Sequence, residues 1–212
     1  MAEIVPVRPQ APDEAALRRA AEALARGAAI ALPTDTLYGL CARALDPAAL
    51  ERLFAAKGRG GEKGAPVLIG SPDQLPLLAA RTPEGARALI GRLWPGPLTL
   101  IFPARDALSP FLTGGEGGGV AVRLPDQALC RRLAAEAGPF AATSANRPGA
   151  PPLRGAGEIA EEFGERIALI LDGGALPEER PSTLVDVRGA APVLLREGRA
   201  PFDEVLKAWG EG

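Results

Sequence analysis

The sequence predicts one α/β domain, a mixed sheet with helices packed on it. Short apolar runs rich in Val, Ile and Leu alternate with amphipathic stretches along the chain. No repeat, charge run or low-complexity linker interrupts that alternation. The 212 residues, 47% hydrophobic, fit a single domain over 1–212 with enough apolar side chains for a packed core.

Each element follows from local pattern. Asp13 to Arg26 places Ala16, Leu17, Ala20 and Leu24 on one helical face and stops at Gly27. A buried strand follows at Ala28 to Leu32. Pro47 to Ala56 has proline in its first turn and Leu50, Leu53 and Phe54 on one side, and this helix delivers Lys57. Pro66 to Ile69 reads as a strand, Asp73 to Ala80 and Pro83 to Leu93 as helices, and Leu98 to Phe102 as a strand. Val120 to Leu124, Phe140 to Ala142, Ala168 to Leu171, Thr183 to Val187 and Val193 to Leu195 are further strands. Helices are expected at Asp126 to Glu136, Glu158 to Phe163 and Phe202 to Trp209. Gly114 to Gly119 is expected to be a mobile loop.

Composition narrows the chemistry. Histidine is absent, which removes Ser-His and Cys-His catalysis and the commonest zinc ligand. The two cysteines, Cys41 and Cys130, are expected to be reduced and buried. A net charge of −2 argues against a protein that coats nucleic acid through bulk charge, so anion binding must be local. No export signal and no apolar run of membrane-spanning length is seen, and a cytoplasmic location is expected.

Five segments carry candidate chemistry. Pro33-Thr34-Asp35-Thr36-Leu37-Tyr38-Gly39-Leu40 follows a buried strand; its hydroxyls either meet a ligand or satisfy their own turn. Lys57-Gly58-Arg59 with Lys63-Gly64 sets three cations on a glycine-loosened loop, suited to phosphate or simply solvated. Arg123, inside Val120-Ala121-Val122-Arg123-Leu124-Pro125, is either buried with an anionic mate or turned outward on an edge strand. Thr143-Ser144-Ala145-Asn146 offers directional hydrogen bonds or a cap. Ser182-Thr183 and Leu194-Leu195-Arg196-Glu197-Gly198 add a hydroxyl pair and another arginine. Trp94-Pro95-Gly96-Pro97-Leu98-Thr99 reads as a rigid structural turn. Asp35, Asp172 and Asp186 cannot be paired from sequence, and none is assigned an acid-base role.

In order and spacing, these segments resemble the YrdC-like family of threonylcarbamoyl-AMP synthases from about Ala15 to Phe202. The resemblance implies a twisted mixed open sheet with flanking helices and a concave substrate-binding surface, and condensation there of L-threonine, bicarbonate and ATP to threonylcarbamoyl-adenylate with release of pyrophosphate. It implies Mg2+ carried by the ATP phosphates, with no metal site on the protein. The product would feed threonylcarbamoyladenosine formation at position 37 of tRNA, through a tRNA-modifying transferase complex as downstream partner. By resemblance, Thr34, Arg123, Thr143 and Ser182 hold threonine, with Arg123 on its carboxylate. Lys57, Arg59, Lys63, Ser144, Asn146 and Arg196 face ATP.

The chain departs from the family pattern where Gly60 and Gly61 replace a stiffening proline, where Leu68 stands in place of a histidine, and along Gly117 to Gly119. Ending near Trp209, it resembles the short form. Three rival readings remain at this stage. One is a double-stranded RNA-binding or ribosome-maturation module, which would bind RNA weakly through the same concave surface; the second is a related carbamoyl-transfer enzyme; the third is a paralogue that keeps the fold and binds a different amino acid.

Overall fold

In a computed structural model, residues 1–61, 63–114, 118–176 and 180–210 are described. The strands are β1 (Glu3–Pro6), β2 (Ile30–Pro33), β3 (Tyr38–Arg43), β4 (Val67–Leu68), β5 (Leu98–Pro103), β6 (Gly119–Arg123), β7 (Phe140–Ser144), β8 (Leu169–Asp172), β9 (Thr183–Asp186) and β10 (Val193–Arg196). The helices are α1 (Glu14–Ala25), α2 (Pro47–Lys57), α3 (Glu84–Leu93), α4 (Pro110–Thr113), α5 (Ala128–Ala137), α6 (Ala156–Phe163) and α7 (Phe202–Gly210).

All ten strands join one mixed sheet in the order β1-β8-β2-β3-β7-β4-β6-β5-β9-β10. The pairs β1/β8, β2/β8, β4/β6 and β5/β9 are parallel; the others are antiparallel. Among the described residues the expected strands and most of the expected helices are present, with four differences. β1 was not anticipated, because four residues ending in proline give no periodic signal. β3 was read as part of a polar turn. Its Gly39, Cys41 and Ala42 are small and give no bulky apolar run, although the strand is buried between β2 and β7, where Gly39 pairs with Ser144 and Cys41 with Ala142. The helix expected at Asp73 to Ala80 is a 3-10 helix over Pro72–Leu77, since Pro76 removes a donor and clashes with a continuing α-helix. The four-residue α4, capped by Ser109 through Phe111 N, is too short for periodicity to show. The core of the expected mobile loop, 115–117, lies outside the described residues.

Two apolar layers flank the sheet. On one face Leu50, Leu53 and Phe54 of α2, Leu89 of α3, Phe163 of α6 and Val205 of α7 pack with Leu40, Leu100, Phe102, Val122 and Val185. On the other, Leu17 and Leu24 of α1 and Leu129 and Leu133 of α5 pack with Ile30, Leu32, Leu68, Phe140 and Leu171. No side chain of β5, β9 or β10 belongs to this second layer. Because side chains alternate along a strand, Thr99 and Ile101, Ala121 and Arg123, and Leu184 lie on the face that α1 and α5 leave open. That uncovered half-face is the floor of a cavity. Cys41 and Cys130 are free thiols at 0% exposure, as expected, and burial pushes both up from the usual thiol range. No helix among the described residues is long and apolar enough to cross a membrane.

Candidate functional site

The cavity has a volume of about 880 Å³, within the range of small-molecule sites. Its first wall is the turn from β2 to β3. Thr34 Oγ1 accepts from the backbone N–H of Thr36 and of Leu37, each at 3.1 Å, and lies 2.7 Å from Leu37 O. The turn thus satisfies itself and still presents Thr34 and Thr36 to the cavity. The self-satisfied turn is therefore observed, and it leaves both hydroxyl-bearing residues on the cavity wall.

Arg123 stands at the carboxyl end of β6, an interior strand between β4 and β5, so the outward-facing edge-strand reading is corrected. It is 4% exposed. Its Nε donates to Gly96 O at 3.0 Å, Nη1 to Thr36 Oγ1 at 2.9 Å, and Nη2 to Asp35 Oδ2 at 2.5 Å. The buried guanidinium therefore has its anionic mate within the chain. Burial lowers the Arg123 pKa, and the Asp35 carboxylate opposes that. The Trp-Pro-Gly-Pro turn is structural, as read: Trp94 Nε1 donates to Leu98 O at 2.7 Å. It also supplies the Gly96 carbonyl that orients Arg123.

The wall formed by β5, β9 and β10 carries Ser182, whose Oγ is 2.7 Å from Thr99 Oγ1. Arg196 Nη2 donates to Ser182 O at 2.9 Å. Thr183 Oγ1 donates to Ala200 O at 2.5 Å and accepts from Gly198 N at 2.9 Å, tying the Ser182-Thr183 segment to the one that carries Arg196. Gly198 is confined by backbone: a Cβ there would lie 2.2 Å from Pro181 O and 2.5 Å from Ser182 C. Gly198→Ala is expected to displace Ser182 and Arg196, lowering stability by about 2 kcal/mol or more. A melting temperature unchanged from wild type would contradict this.

The cavity is lined by Arg59, Lys63, Arg123, Arg154 and Arg196, and by no carboxylate among the described residues. Nor is there any group of His, Cys, Asp and Glu among them that could hold a metal ion. A protein of net charge −2 thus keeps a strongly cationic recess.

The family described as Telomere recombination, grouping Sua5, YciO and YrdC, matches residues 22–198. The chain belongs to the Sua5/YciO/YrdC family. It is 41% identical over 200 residues to the threonylcarbamoyl-AMP synthase of Pyrococcus abyssi, covering 94% of this chain and 58% of that protein. Against the putative threonylcarbamoyl-AMP synthase of Mycobacterium tuberculosis H37Rv it is 37% identical, covering 89% of this chain and 86% of the relative. The crystal structure of P. abyssi Sua5 complexed with L-threonine superposes with a TM-score of 0.91 at 41% identity, over 98% of this chain and 61% of that one. E. coli YciO, 24% identical with a TM-score of 0.87 over 97% of this chain and 100% of its own, shares the fold.

Of the residues singled out by their resemblance to the family, Thr34, Arg59, Lys63, Arg123, Thr143, Ser144, Ser182 and Arg196 line the one cavity. Lys57 and Asn146 are not among its lining residues. Lys57 is 4% exposed, and its ammonium donates to Ser144 O at 2.6 Å, to Asn146 Oδ1 at 2.5 Å and to Asn146 O. Asn146 Oδ1 in turn accepts from Ser144 Oγ at 2.7 Å. Both residues act behind the cavity wall, fixing the loop that presents Ser144. The Arg59 guanidinium sits 5.0 Å from the Phe54 ring centroid and bonds to Lys63 O.

Sequence reasoning left Thr36 without a role of its own and missed Arg154 and Leu68 as cavity residues. Leu68 was noted only as a departure, yet it pairs in register with Arg123 across β4 and β6, and so shares its face. Arg154 Nε donates to Leu176 O at 3.0 Å. Its signal was present in Pro151-Pro152-Leu153-Arg154, a cation on a proline-stiffened loop after a hydroxyl cluster.

Proposed function

We propose that this chain condenses L-threonine, bicarbonate and ATP to threonylcarbamoyl-adenylate, releasing pyrophosphate. The observation that carries the reading is the cavity of Arg and Lys side chains without a lining carboxylate, in a chain whose relatives are named threonylcarbamoyl-AMP synthases. ATP brings Mg2+ with it; the lining cations suit phosphate oxygens and offer the metal no cage of their own.

In this reading Thr34, Thr143, Ser182 and Arg123 hold threonine, with Arg123 presenting donors to its carboxylate. The threonine amino nitrogen attacks the bicarbonate carbon and water leaves, giving a carbamate. A carbamate oxygen then attacks the α-phosphorus and pyrophosphate departs. Arg59, Lys63 and Arg196 neutralise the phosphates, Ser144 adds a directional bond, and Lys57 and Asn146 hold that loop in place. Positioning and charge neutralisation carry the barrier reduction, so neither a histidine nor a covalent intermediate is required. The adenylate would pass to a tRNA-modifying transferase for position 37 of tRNA, and the whole process fits a cytoplasmic location.

A walled recess of this volume suits nucleotide and amino acid better than an RNA duplex, whose recognition spreads along a surface. Purified protein with ATP, Mg2+ and bicarbonate should release pyrophosphate only when L-threonine is present, with serine and valine far weaker. Release indifferent to the amino acid would refute the assignment.

A further inference from the structure

Arg154 is a cavity cation to which the proposed reaction gives no substrate. It lies on the loop from β7 to α6 and lines the recess together with Ser144 and Leu153. Leu153 N donates to Ala145 O at 2.8 Å, folding this loop back onto the end of β7, and Arg154 N donates to the Glu158 carboxylate at 2.7 Å. A second segment, the one that follows β8, braces the same residue from the other side. Leu176 N donates to Arg154 O at 2.9 Å, and Arg154 Nε donates to Leu176 O at 3.0 Å. The second of these bonds uses the guanidinium itself, so it fixes the side chain as well as the backbone. Nε carries one of five N–H donors, and the bond leaves both Nη groups outside it.

The segment that carries Leu176 is anchored in turn by Tyr38. The Tyr38 hydroxyl, on a side chain at 0% exposure, donates to Gly174 O at 2.8 Å and accepts from Gly173 N at 3.0 Å. The backbone at these glycines has little freedom to shift: a Cβ on Gly173 would lie 2.8 Å from Cγ of both Pro9 and Pro33. Burial pushes the Tyr38 pKa up to about 12, so the hydroxyl keeps its proton at ordinary assay pH. The main-chain oxygen of the same residue accepts from Ala145 N at 2.8 Å. Tyr38 thus holds both segments that brace Arg154, one through its backbone and the other through its phenol. An arginine on an exposed loop ordinarily samples many rotamers in water. Here the guanidinium is held at a cavity wall before any ligand arrives, which lowers the entropy cost of binding one.

We propose that Arg154 is a further phosphate-binding residue at the nucleotide end of the cavity, and that the Tyr38 hydroxyl positions it there through Gly174 and Leu176. The inference rests on the assignment of a nucleotide to this cavity. The end is set by the loop itself, since Ala145, which receives Leu153 N, directly follows the Ser144 assigned to ATP. The class of ligand is set by the donor, because a planar guanidinium matches phosphate oxygens in a two-pronged contact.

The test titrates inorganic pyrophosphate and, separately, adenosine calorimetrically into the unliganded protein. Arg154→Gln is expected to weaken pyrophosphate about tenfold, the size of one charge-assisted contact, and to leave adenosine within about twofold. Unchanged pyrophosphate affinity overturns the proposal, and so does an equal loss toward adenosine, which would place Arg154 at the nucleoside. Tyr38→Phe, which keeps the ring and removes the hydroxyl, should weaken pyrophosphate about three- to tenfold. If the phenol acts through Arg154, the variant carrying both changes binds no more weakly than Arg154→Gln alone. Losses that multiply, or a Tyr38→Phe protein with a lower melting temperature and native affinity, would leave the phenol a merely structural role and overturn the positioning. Should Tyr38→Phe not fold, Arg154→Lys on the exposed loop decides the point, since it keeps the charge and loses the Nε–H that bonds Leu176 O. A loss close to that of Arg154→Gln supports a held guanidinium, and native affinity overturns it. Pyrophosphate binding is read without turnover, so absent threonine-dependent release with an intact Arg154 effect refutes the proposed activity alone, and normal release without that effect refutes this assignment alone.

Discussion

Arg123→Ala is expected to raise the KM for L-threonine about 10- to 100-fold while moving that for ATP by less than about threefold, the loss of one charge-assisted contact of about 1.5–3 kcal/mol. Steady-state kinetics with each substrate varied in turn reads the split directly. The same change takes from Asp35, at 11% side-chain exposure, the guanidinium paired with it, so stability should fall by about 3 kcal/mol or more. The two effects separate in Arg123→Ala combined with Asp35→Asn, where the carboxylate charge is gone. Thermal stability should largely return, and threonine use should not. Equal losses toward threonine and ATP would remove Arg123 from the amino-acid end.

Why Arg123 was visible in the sequence and its partner was not is instructive. A guanidinium within Val-Ala-Val-Arg-Leu announces an energetic problem that must be solved by an anion or by exposure. The solution, Asp35, lies 88 positions away on a different strand connection, and nothing local to either residue marks the pairing. The strands most easily read, such as β2, β5 and β6, are apolar runs buried in the sheet interior. β3 escaped because Tyr-Gly-Leu-Cys-Ala-Arg mixes small residues with bulky ones directly after a polar turn, and so offers no continuous β-branched run. Side chains that line the cavity were legible as types, hydroxyls and cations after strand ends. What sequence could not supply was the acceptor side of the network. Lys57 is held by two main-chain carbonyls and one amide oxygen, and main-chain oxygens carry no sequence signature.

That network makes Lys57 the second sensitive position. Lys57→Met removes the donor shared by Ser144 O, Asn146 O and Asn146 Oδ1, and the oxygens it leaves behind are partly buried. A stability loss of about 3 kcal/mol is expected, since charge-assisted bonds are worth about 1.5–3 kcal/mol each and do not add fully. With the loop released, Ser144 loses its fixed place and the KM for ATP should rise about tenfold or more, with that for threonine moving less. Burial, and then the nearby Arg59 guanidinium, bring the Lys57 pKa down from 10.5 to about 8. Its titration therefore falls within a workable assay range. Below about 8 the ammonium donates to all three oxygens; above it, a neutral amine has only two N–H groups and turns a lone pair toward an acceptor. ATP affinity of the native chain should weaken as pH rises through that value, and the dependence should vanish in Lys57→Met. The stability linkage runs the other way. Between about 8 and 10.5 the unfolded chain holds the proton that the folded chain has lost, so the Lys57 contribution to stability rises with pH across the window. Opposite slopes for ATP affinity and for melting temperature, both abolished by the one substitution, would identify Lys57 as the clamp behind the nucleotide wall; parallel slopes would assign the titration to another group.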